Sequence, residues 1–214
     1  MMRAAVIAGS RRIEVVSIPM PSPAPGEVRV RLEGCGICAS SLPVWEGREW
    51  FRYPMNAGEP GHEGWGVVEA LGAGVDHVRE GERVAIFAGR SFAEYDIAKA
   101  DALVRIPDAL AGRRFPGEAM GCAMNIFRRS DIEAGQTVVV IGAGFLGNLL
   151  IQLAKSAGAR VIAISRRESA RELARTCGAD ETIAMDDHWA IVRRVKEELT
   201  EGRGAERVIE CVGT

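Results

Sequence analysis

Two short segments of the sequence carry side chains suited to binding a metal ion. The first holds Cys35 and Cys38 in the run C-G-I-C, and the second holds His62 and Glu63 in the run G-H-E-G-W-G. Thiolates and imidazoles are ligands that zinc selects, and a catalytic zinc site adds a third protein ligand while keeping one coordination position open. The two segments together therefore predict a zinc site.

Each segment also has a plainer interpretation. A C-x-x-C pair suits a redox couple or two buried cysteines, and a single histidine is more often an ordinary loop residue. A redox pair usually opens a helix near alternating strands and helices, whereas Cys35 follows a predicted β-strand. The glycines that flank His62 and the adjacent Glu63 add weight to the metal site.

A glycine-rich turn further along the chain satisfies the pattern G-x-G-x-x-G. It directly follows a predicted buried strand and opens a predicted helix, the context in which this pattern binds dinucleotides. The first glycine permits the tight turn, the second lets a pyrophosphate approach the backbone, and the third lets helix and strand pack closely. The helix start attracts the phosphates, although a tight turn without a ligand is the alternative. The turn consists of Gly142, Ala143, Gly144, Phe145, Leu146 and Gly147.

The end of the next predicted strand indicates which dinucleotide is bound. A sheet that binds NAD offers an acidic side chain about 20 residues after the glycines. Here the strand ends in Ser165, Arg166 and Arg167, with no acid at its tip. A hydroxyl and guanidinium groups suit a 2′-phosphate, so we expect NADP rather than NAD. The alternative is that both arginines start a solvated helix.

The part of the chain before residue 118 is predicted to be a β-rich domain. Short β-type runs are broken by Gly and Pro, which is typical of a barrel or a sandwich. The segment Pro19–Gly26 contains four prolines, and we expect an extended connection there because proline lacks an N–H and fixes φ. The predicted strands are Arg3–Ile7, Ile13–Ile18, Glu27–Leu32, Gly66–Leu71, Arg83–Phe87 and Phe92–Ile97.

Strands alternate with helices in the rest of the chain. Continuous apolar strands between helices indicate βαβ units in a doubly wound parallel sheet. We expect domain limits of 1–117 and 118–214, with the C-terminal half of the second domain missing and its last strand an exposed edge. The predicted helices are Ala119–Arg129, Leu146–Ala157, Ser169–Cys177 and Asp187–Leu199, and the predicted strands are Thr137–Ile141, Arg160–Ser165, Glu181–Met185 and Glu206–Val212.

The motifs together resemble the zinc-dependent medium-chain alcohol dehydrogenase/reductase family. The run from Gly61 to Val75 reproduces its zinc signature G-H-E-x2-G-x5-G-x2-V, and the stretch around Cys38 resembles its G-I-C-G-S-D segment. The stretch from Glu118 to Cys122 looks like the E-P-L segment of the polyol and threonine dehydrogenase branch. The resemblance implies a GroES-like β-rich domain followed by a partial Rossmann domain.

The resemblance also implies a ligand set for one catalytic zinc ion. Cys38, His62 and Glu118 would hold the zinc, with Glu63 as a close or alternating ligand and Cys122 as a rival third ligand. Catalysis would depend on Cys38, Ser40, His62 and Glu63, with Ser40 accepting the hydroxyl proton. The region after Arg83 lacks the four-cysteine loop of the family's structural zinc, so no second zinc is expected.

Two departures from the family limit this transfer. Ser41 stands where the family usually has the Asp that orients the zinc-bound histidine. The loss of such a partner can cost about 10–100-fold in affinity or activity. Pro43 stands where many members have a histidine that relays the proton to solvent.

The expected function is reversible hydride transfer between NAD(P) and an alcohol or polyol, or the corresponding carbonyl compound. The alternatives are a zinc-free quinone or enoyl reductase on the same scaffold and a catalytically incomplete nucleotide-binding fragment. The sequence does not identify the substrate, although four aromatic residues follow the metal loop and either line its pocket or simply pack. These residues are Trp45, Trp50, Phe51 and Tyr53.

Charge and hydropathy argue against nucleic-acid and membrane partners, so we expect a small-molecule substrate. The net charge is −2 and the basic residues form no stripe, which argues against nucleic-acid binding. The sequence shows neither a signal peptide nor an apolar stretch of about 18 residues, so we expect a cytoplasmic protein without membrane contact. The five cysteines have irregular spacing and are expected to be reduced thiols. The sequence is compatible with a homo-oligomer.

Overall fold

Antiparallel β-structure dominates the N-terminal part of the computed structural model, which describes residues 1–212. The strands β1 (Met2–Gly9) and β2 (Arg12–Ile18) form a hairpin. A five-stranded antiparallel sheet with the order β6-β3-β4-β5-β7 follows. Its members are β3 (Glu27–Gly36), β4 (Glu63–Leu71), β5 (Arg83–Ile86), β6 (Tyr95–Lys99) and β7 (Leu103–Arg105).

Alternating side chains explain why these segments form strands around one core. In β3, Val28 and Val30 are fully buried while Arg31 on the opposite face is exposed. This period of two residues is that of a strand with one face on a core. Val68 of β4 and Val84 of β5 are buried in the same cluster. The extended connection expected at Pro19–Gly26 is confirmed, since no helix or strand includes it.

The rest of the chain forms a four-stranded parallel sheet with the order β10-β9-β8-β11. This confirms the expected sequence of a β-rich part and a partial doubly wound sheet, in which β11 is an edge strand. Its strands are β8 (Thr137–Ile141), β9 (Arg160–Ser165), β10 (Glu181–Ala184) and β11 (Arg207–Glu210). The α-helices of the chain are α1 (Leu42–Glu46), α2 (Gly117–Ser130), α3 (Phe145–Ser156), α4 (Glu168–Thr176) and α5 (His188–Arg193).

Both faces of this parallel sheet are covered by helices. Val138 and Val140 of β8 are buried in one cluster with Ile151 of α3 and Ala174 of α4. Val139, between them, is buried on the other face, in a cluster to which Ile191 of α5 belongs. Burial on both faces is the reason that β8 and β9 are continuous apolar runs in the sequence.

The structure differs from the sequence prediction in several short elements. It contains β7 and α1, which are too short to show a periodic pattern, and α1 has Pro43 in its first turn. The predicted helix at Asp187–Leu199 is α5 followed by a π-helical segment, Arg194–Leu199. The strand predicted from Phe92 begins at Tyr95, because Phe92 and its neighbour bond to β1 instead.

The chain divides into two compact units, of which the first ends at Ala119 and the second begins at Met120. The domain limits expected at residues 117 and 118 remain a prediction. Within residues 1–212 none of the helices combines the length and the apolar character that a membrane crossing needs.

Close backbone approach between β3 and β4 gives a test of the fold. A Cβ atom at Gly66 would lie 2.1 Å from the Arg31 carbonyl oxygen and 2.8 Å from the Leu32 Cα. Because both neighbours are backbone, Gly66→Ala must separate the strands, and we expect a loss of about 1–3 kcal/mol in the free energy of unfolding. Thermal melting followed by circular dichroism measures the effect.

The matched control is Gly89→Ala, since nothing lies within 4 Å of a Cβ atom there. Its melting temperature should stay within about 2 °C of the wild type, the range of an ordinary surface substitution. Equal melting temperatures for the two variants would contradict the close approach of β3 and β4.

Candidate functional site

The pairing of β3 with β4 brings three candidate ligands together. Gly36 at the end of β3 lies opposite Glu63 at the start of β4. Cys38 follows β3 by two residues, and His62 directly precedes β4. One ligand atom from each of Cys38, His62 and Glu63 lies within 4.8 Å of the other two. Two segments that are distant in the sequence therefore form one cluster.

The imidazole of His62 is oriented by the backbone. Its Nδ1 atom lies 2.8 Å from the Pro60 carbonyl oxygen, which can only accept, so Nδ1 carries the proton. The lone pair on Nε2 is then available to a metal ion, an arrangement common for metal-binding histidines. Ser41, which occupies the position of the family's orienting Asp, has a buried Oγ without a hydrogen-bond partner among the described residues. The Pro60 carbonyl thus takes over the orienting role.

The carboxylate of Glu63 occupies space that only a glycine leaves open. Glu63 is 8% exposed, and its Oε2 atom lies 1.8 Å from where a Cβ atom of Gly36 would stand. Any side chain at position 36 would therefore displace the carboxylate. The C-G-I-C run contains this glycine for steric reasons that the sequence alone does not reveal.

The loop before β6 packs against the segment that carries His62. The Ser91 hydroxyl donates to Asp96 Oδ2 at 2.8 Å, and the Ser91 N–H donates to the Gly61 carbonyl at 2.9 Å. Burial raises the pKa of Asp96, although hydrogen bonds from Ser91 and two backbone N–H groups act in the opposite direction.

A Cβ atom at Gly61 would lie 2.5 Å from the Phe92 nitrogen, and one at Gly64 would lie 2.5 Å from Ser91 Oγ. The glycines around His62 therefore let this loop pack closely.

The two cysteines of the C-x-x-C run differ in their surroundings. Cys35 does not belong to the cluster, and its Sγ atom donates to the Gly36 carbonyl at 3.2 Å. Burial is the main cause that raises the pKa of the Cys35 thiol to about 11; the charges of Glu63 and Asp96 act in the same direction, and hydrogen bonds from the backbone of Glu63 and His62 oppose them. Cys38 lies after the strand, at the start of the 3-10 turn Ala39–Ser41. Only Cys38 is placed to act as a ligand.

A thiolate, an imidazole and a carboxylate within 4.8 Å form a donor set that fits zinc. The backbone-fixed tautomer of His62 and the space that Gly36 leaves for Glu63 are the features that prepare this set. The residues of this chain are therefore suited to holding the metal that the zinc-binding motif implies.

The other predicted metal-site residues lie outside the cluster of three. Glu118 is half-buried in the first turn of α2, and its role as a ligand remains a prediction. Cys122 is exposed on the same helix. Ser40 is exposed in the 3-10 turn next to Cys38.

The aromatic residues that follow the metal loop have different surroundings. Trp45 lines an apolar cavity of about 710 Å³ together with Ile7, Leu32 and Ser41. The Tyr53 hydroxyl donates to the Val44 carbonyl, which ties it to α1. Trp50 is largely exposed, with its ring centroid 6.0 Å from that of Phe51. Of the four, Trp45 is the one with an environment that suits a pocket lining.

The glycine-rich turn has the geometry that a dinucleotide requires. Gly142 has a φ of +98°, which favours glycine, and a Cβ atom at Gly147 would lie 2.0 Å from the Gly142 carbonyl oxygen. Nothing lies within 4 Å of a Cβ atom at Gly144, so a ligand can approach the backbone there. Phe145 is exposed and Leu146 half-buried at the start of α3. Gly142 and Gly147 thus permit the turn and the close packing, and Gly144 leaves its backbone accessible.

The structure places the end of β9 beside this turn. Both border a cavity of about 540 Å³. Arg166 and Arg167 are exposed, and neither forms an ion pair within the described range 1–212. The cavity is lined by Gly142, Ala143, Gly144, Ser165, Arg166, Arg167, Met185, Cys211 and Val212.

Sequence reasoning missed Gly36, the Pro60 carbonyl and Asn148, whose amide bonds to the glycine-rich turn. Asn148 had a signal, because it is a polar residue in an otherwise apolar helix face directly after the third glycine. The other two act through space and through the backbone, which residue types do not encode.

Two protein-family models match the chain. Residues 24–108 match the alcohol dehydrogenase GroES-like domain, and residues 146–214 match the zinc-binding dehydrogenase family. An alcohol dehydrogenase from Geobacillus stearothermophilus is 32% identical, with 92% of this chain and 68% of the relative aligned. A sorbitol dehydrogenase from Halalkalibacterium halodurans is 29% identical, with 96% and 68% aligned. The chain spans about two thirds of the length of these relatives.

Two solved structures that have the same fold are an alcohol dehydrogenase and a quinone oxidoreductase. An alcohol dehydrogenase from Escherichia coli CFT073, complexed with NADH, has a TM-score of 0.86 and 26% identity, covering 100% of this chain and 70% of that one. A mycobacterial quinone oxidoreductase has a TM-score of 0.84 and 28% identity, covering 100% and 68%.

The contact between Glu63 and Gly36 predicts the effect of a single methyl group. Gly36→Ala places a Cβ atom on the Glu63 carboxylate, so the carboxylate must leave the cluster. We expect zinc affinity to fall by roughly 10–100-fold, the range seen when metal-site geometry is disturbed. Competition with a chromogenic chelator measures the affinity.

Gly9→Ala serves as the control, since the nearest atom to a Cβ there is Arg12 Nε at 3.9 Å. It should bind zinc like the wild type. If Gly36→Ala folds normally by circular dichroism and keeps full zinc affinity, Glu63 does not contribute to the site.

Proposed function

Because the chain belongs to the zinc-dependent medium-chain alcohol dehydrogenase family, we propose that it interconverts a small alcohol or polyol and the corresponding carbonyl compound with a nicotinamide dinucleotide. The observation that carries the proposal is the convergence of Cys38, His62 and Glu63 within 4.8 Å. The relatives named above as alcohol and sorbitol dehydrogenases support the substrate class.

Cys38 and His62 would hold the metal in this proposal, with Glu63 and Glu118 as further ligands. A zinc ion held there would act as a Lewis acid on the substrate oxygen, and a bound nicotinamide would supply the hydride acceptor or donor. The Pro60 carbonyl keeps His62 in the ligating tautomer, at 2.8 Å from Nδ1. Gly36 leaves the Glu63 carboxylate room to reach the cluster.

Ser40 is the residue that takes up the hydroxyl proton of the alcohol. It lies two positions after Cys38 in an exposed turn, where its hydroxyl can exchange a proton with solvent. Pro43, which opens α1, cannot relay a proton because it has neither a side-chain donor nor an N–H. The proton therefore passes from Ser40 to water or to a ribose hydroxyl.

NADP is the dinucleotide that the end of β9 favours. Arg166 and Arg167 border the same cavity as Gly142 and Gly144, and among the described residues they have no carboxylate partner. Guanidinium groups without a partner suit a 2′-phosphate, which they bind through charge-assisted hydrogen bonds.

A quinone reductase without zinc is the second candidate. The similarity to the mycobacterial quinone oxidoreductase favours it, at 28% identity and a TM-score of 0.84. The zinc-type donor set of Cys38, His62 and Glu63 argues against it, since a zinc-free enzyme has no need of three converging ligands. Metal analysis of the purified protein separates the two candidates.

Replacing each cysteine of the C-x-x-C run tests the zinc-dependent activity. Cys38→Ser should abolish zinc retention after dialysis and reduce turnover of a panel of alcohols and polyols to background, because it removes a thiolate ligand. Cys35→Ser, the matched control, should retain about one zinc per chain. The measurements are elemental analysis and NAD(P)H absorbance. Full turnover by Cys38→Ser would refute the proposed function.

The choice of dinucleotide is tested by the double substitution Arg166→Ala and Arg167→Ala. It should raise the KM for NADP by about 10–100-fold, the equivalent of one or two lost charge-assisted hydrogen bonds, and leave the KM for NAD nearly unchanged. Steady-state kinetics with both dinucleotides provide the comparison. An equal change for both would show that the arginines do not contact a 2′-phosphate.

A further inference from the structure

We infer that Asn148 is a positioning residue for the dinucleotide, whose carboxamide fixes the peptide planes of the glycine-rich turn so that their N–H groups face the pyrophosphate. Asn148 lies in α3 directly after Gly147 and is 6% exposed. The inference rests on the proposed function, since it presumes that a dinucleotide binds at this turn.

The contacts of the side chain define its action on the turn. Asn148 Nδ2 donates to the Ala143 carbonyl at 3.1 Å and to the Gly144 carbonyl at 2.9 Å. The Gly144 carbonyl also accepts the backbone N–H of Asn148 at 3.0 Å, so the Ala143 carbonyl is the one that depends on the side chain. A peptide unit is planar and trans, so its carbonyl and its N–H point in opposite directions. Holding these two carbonyls toward the helix therefore turns the N–H groups of Gly144 and Phe145 away from it.

The N–H groups that are turned outward form an anion site. They belong to the start of α3, a helix of 12 residues whose N-cap, Gly144, has no side chain that could cap them. The first N–H groups of a helix lack acceptors within it and carry positive partial charge. Nothing lies within 4 Å of a Cβ atom at Gly144, so a phosphate can approach these N–H groups.

Burial of the Asn148 amide costs free energy that burial of an apolar side chain would not. Its Oδ1 atom is buried and has no hydrogen-bond partner within residues 1–212. The reversed orientation would place Oδ1 against two carbonyl oxygens, so the donating orientation is fixed by its acceptors. A leucine would fill the space without an unpaired polar atom. The two donated bonds are what the asparagine supplies.

Comparing the binding of three ligands, with and without a pyrophosphate, distinguishes a positioning role of Asn148 from a merely structural one. Binding of NADPH, 2′-phospho-ADP-ribose and adenosine 2′-monophosphate is measured by calorimetry on the wild type and on Asn148→Leu. The first two ligands contain the pyrophosphate and the third does not. We expect the leucine variant to bind the first two about tenfold more weakly and the third unchanged.

The control variant is Gln152→Leu, one helical turn further on. Gln152 is exposed, and its Nε2 atom donates to the Asn148 carbonyl at 3.1 Å, so its hydrogen bond is to the helix backbone and not to the carbonyls of the turn. It should bind all three ligands like the wild type. If Asn148→Leu does not fold, Asn148→Ala replaces it, since alanine favours a helix and has no side-chain donor.

The possible results separate the inference from the proposed function. Equal weakening of all three ligands, or unchanged binding of NADPH by a folded Asn148 variant, overturns the role of Asn148 and leaves the proposed function standing. A parallel titration of the wild type with NADH completes the test: wild-type protein that binds neither NADPH nor NADH overturns the proposed function, and the inference with it.

Discussion

The antiparallel register of β3 and β4 is the constraint on which the metal cluster depends. Opposing Gly36 to Glu63 places Cys38 and His62 at the same end of the strand pair. Because side chains alternate between the faces of a strand, a slip by one residue would turn Glu63 away from the cluster. The buried valines of both strands prevent that slip, since it would also expose them to water. Packing far from the metal ligands thus fixes their geometry.

Glycines of the two ligand segments and of the zinc signature let neighbouring segments of the chain pack closely around this strand pair. At each of them, an atom of another residue of the same chain lies within 3 Å of the position that a Cβ atom would take. Without them the strands and the loop that carries Ser91 could not approach closely enough to bury Glu63. The signature is therefore a set of ligands together with the spaces that let them converge. The glycines concerned are Gly34, Gly36, Gly61, Gly64, Gly66 and Gly72.

How far the sequence predicts this structure depends on what each feature is made of. The bounds of β8 and β9 were predictable, because strands buried on both faces are continuous apolar runs. The meeting of Cys38 with His62 was predictable from the zinc-type side chains of the two segments together with the family resemblance, since no local pattern joins segments so far apart. The bond between His62 and the Pro60 carbonyl escaped prediction, because every residue carries a carbonyl and only the folded chain shows which one is in reach.

The partner of His62 has a consequence for how the site withstands change. A carboxylate in that position could be deleted by one base change or neutralised by acid. The Pro60 carbonyl belongs to the main chain, so it survives every substitution that leaves the loop in place, and it does not titrate. The orientation of the His62 ring therefore depends on a main-chain carbonyl, which neither side-chain substitution nor a change of pH removes.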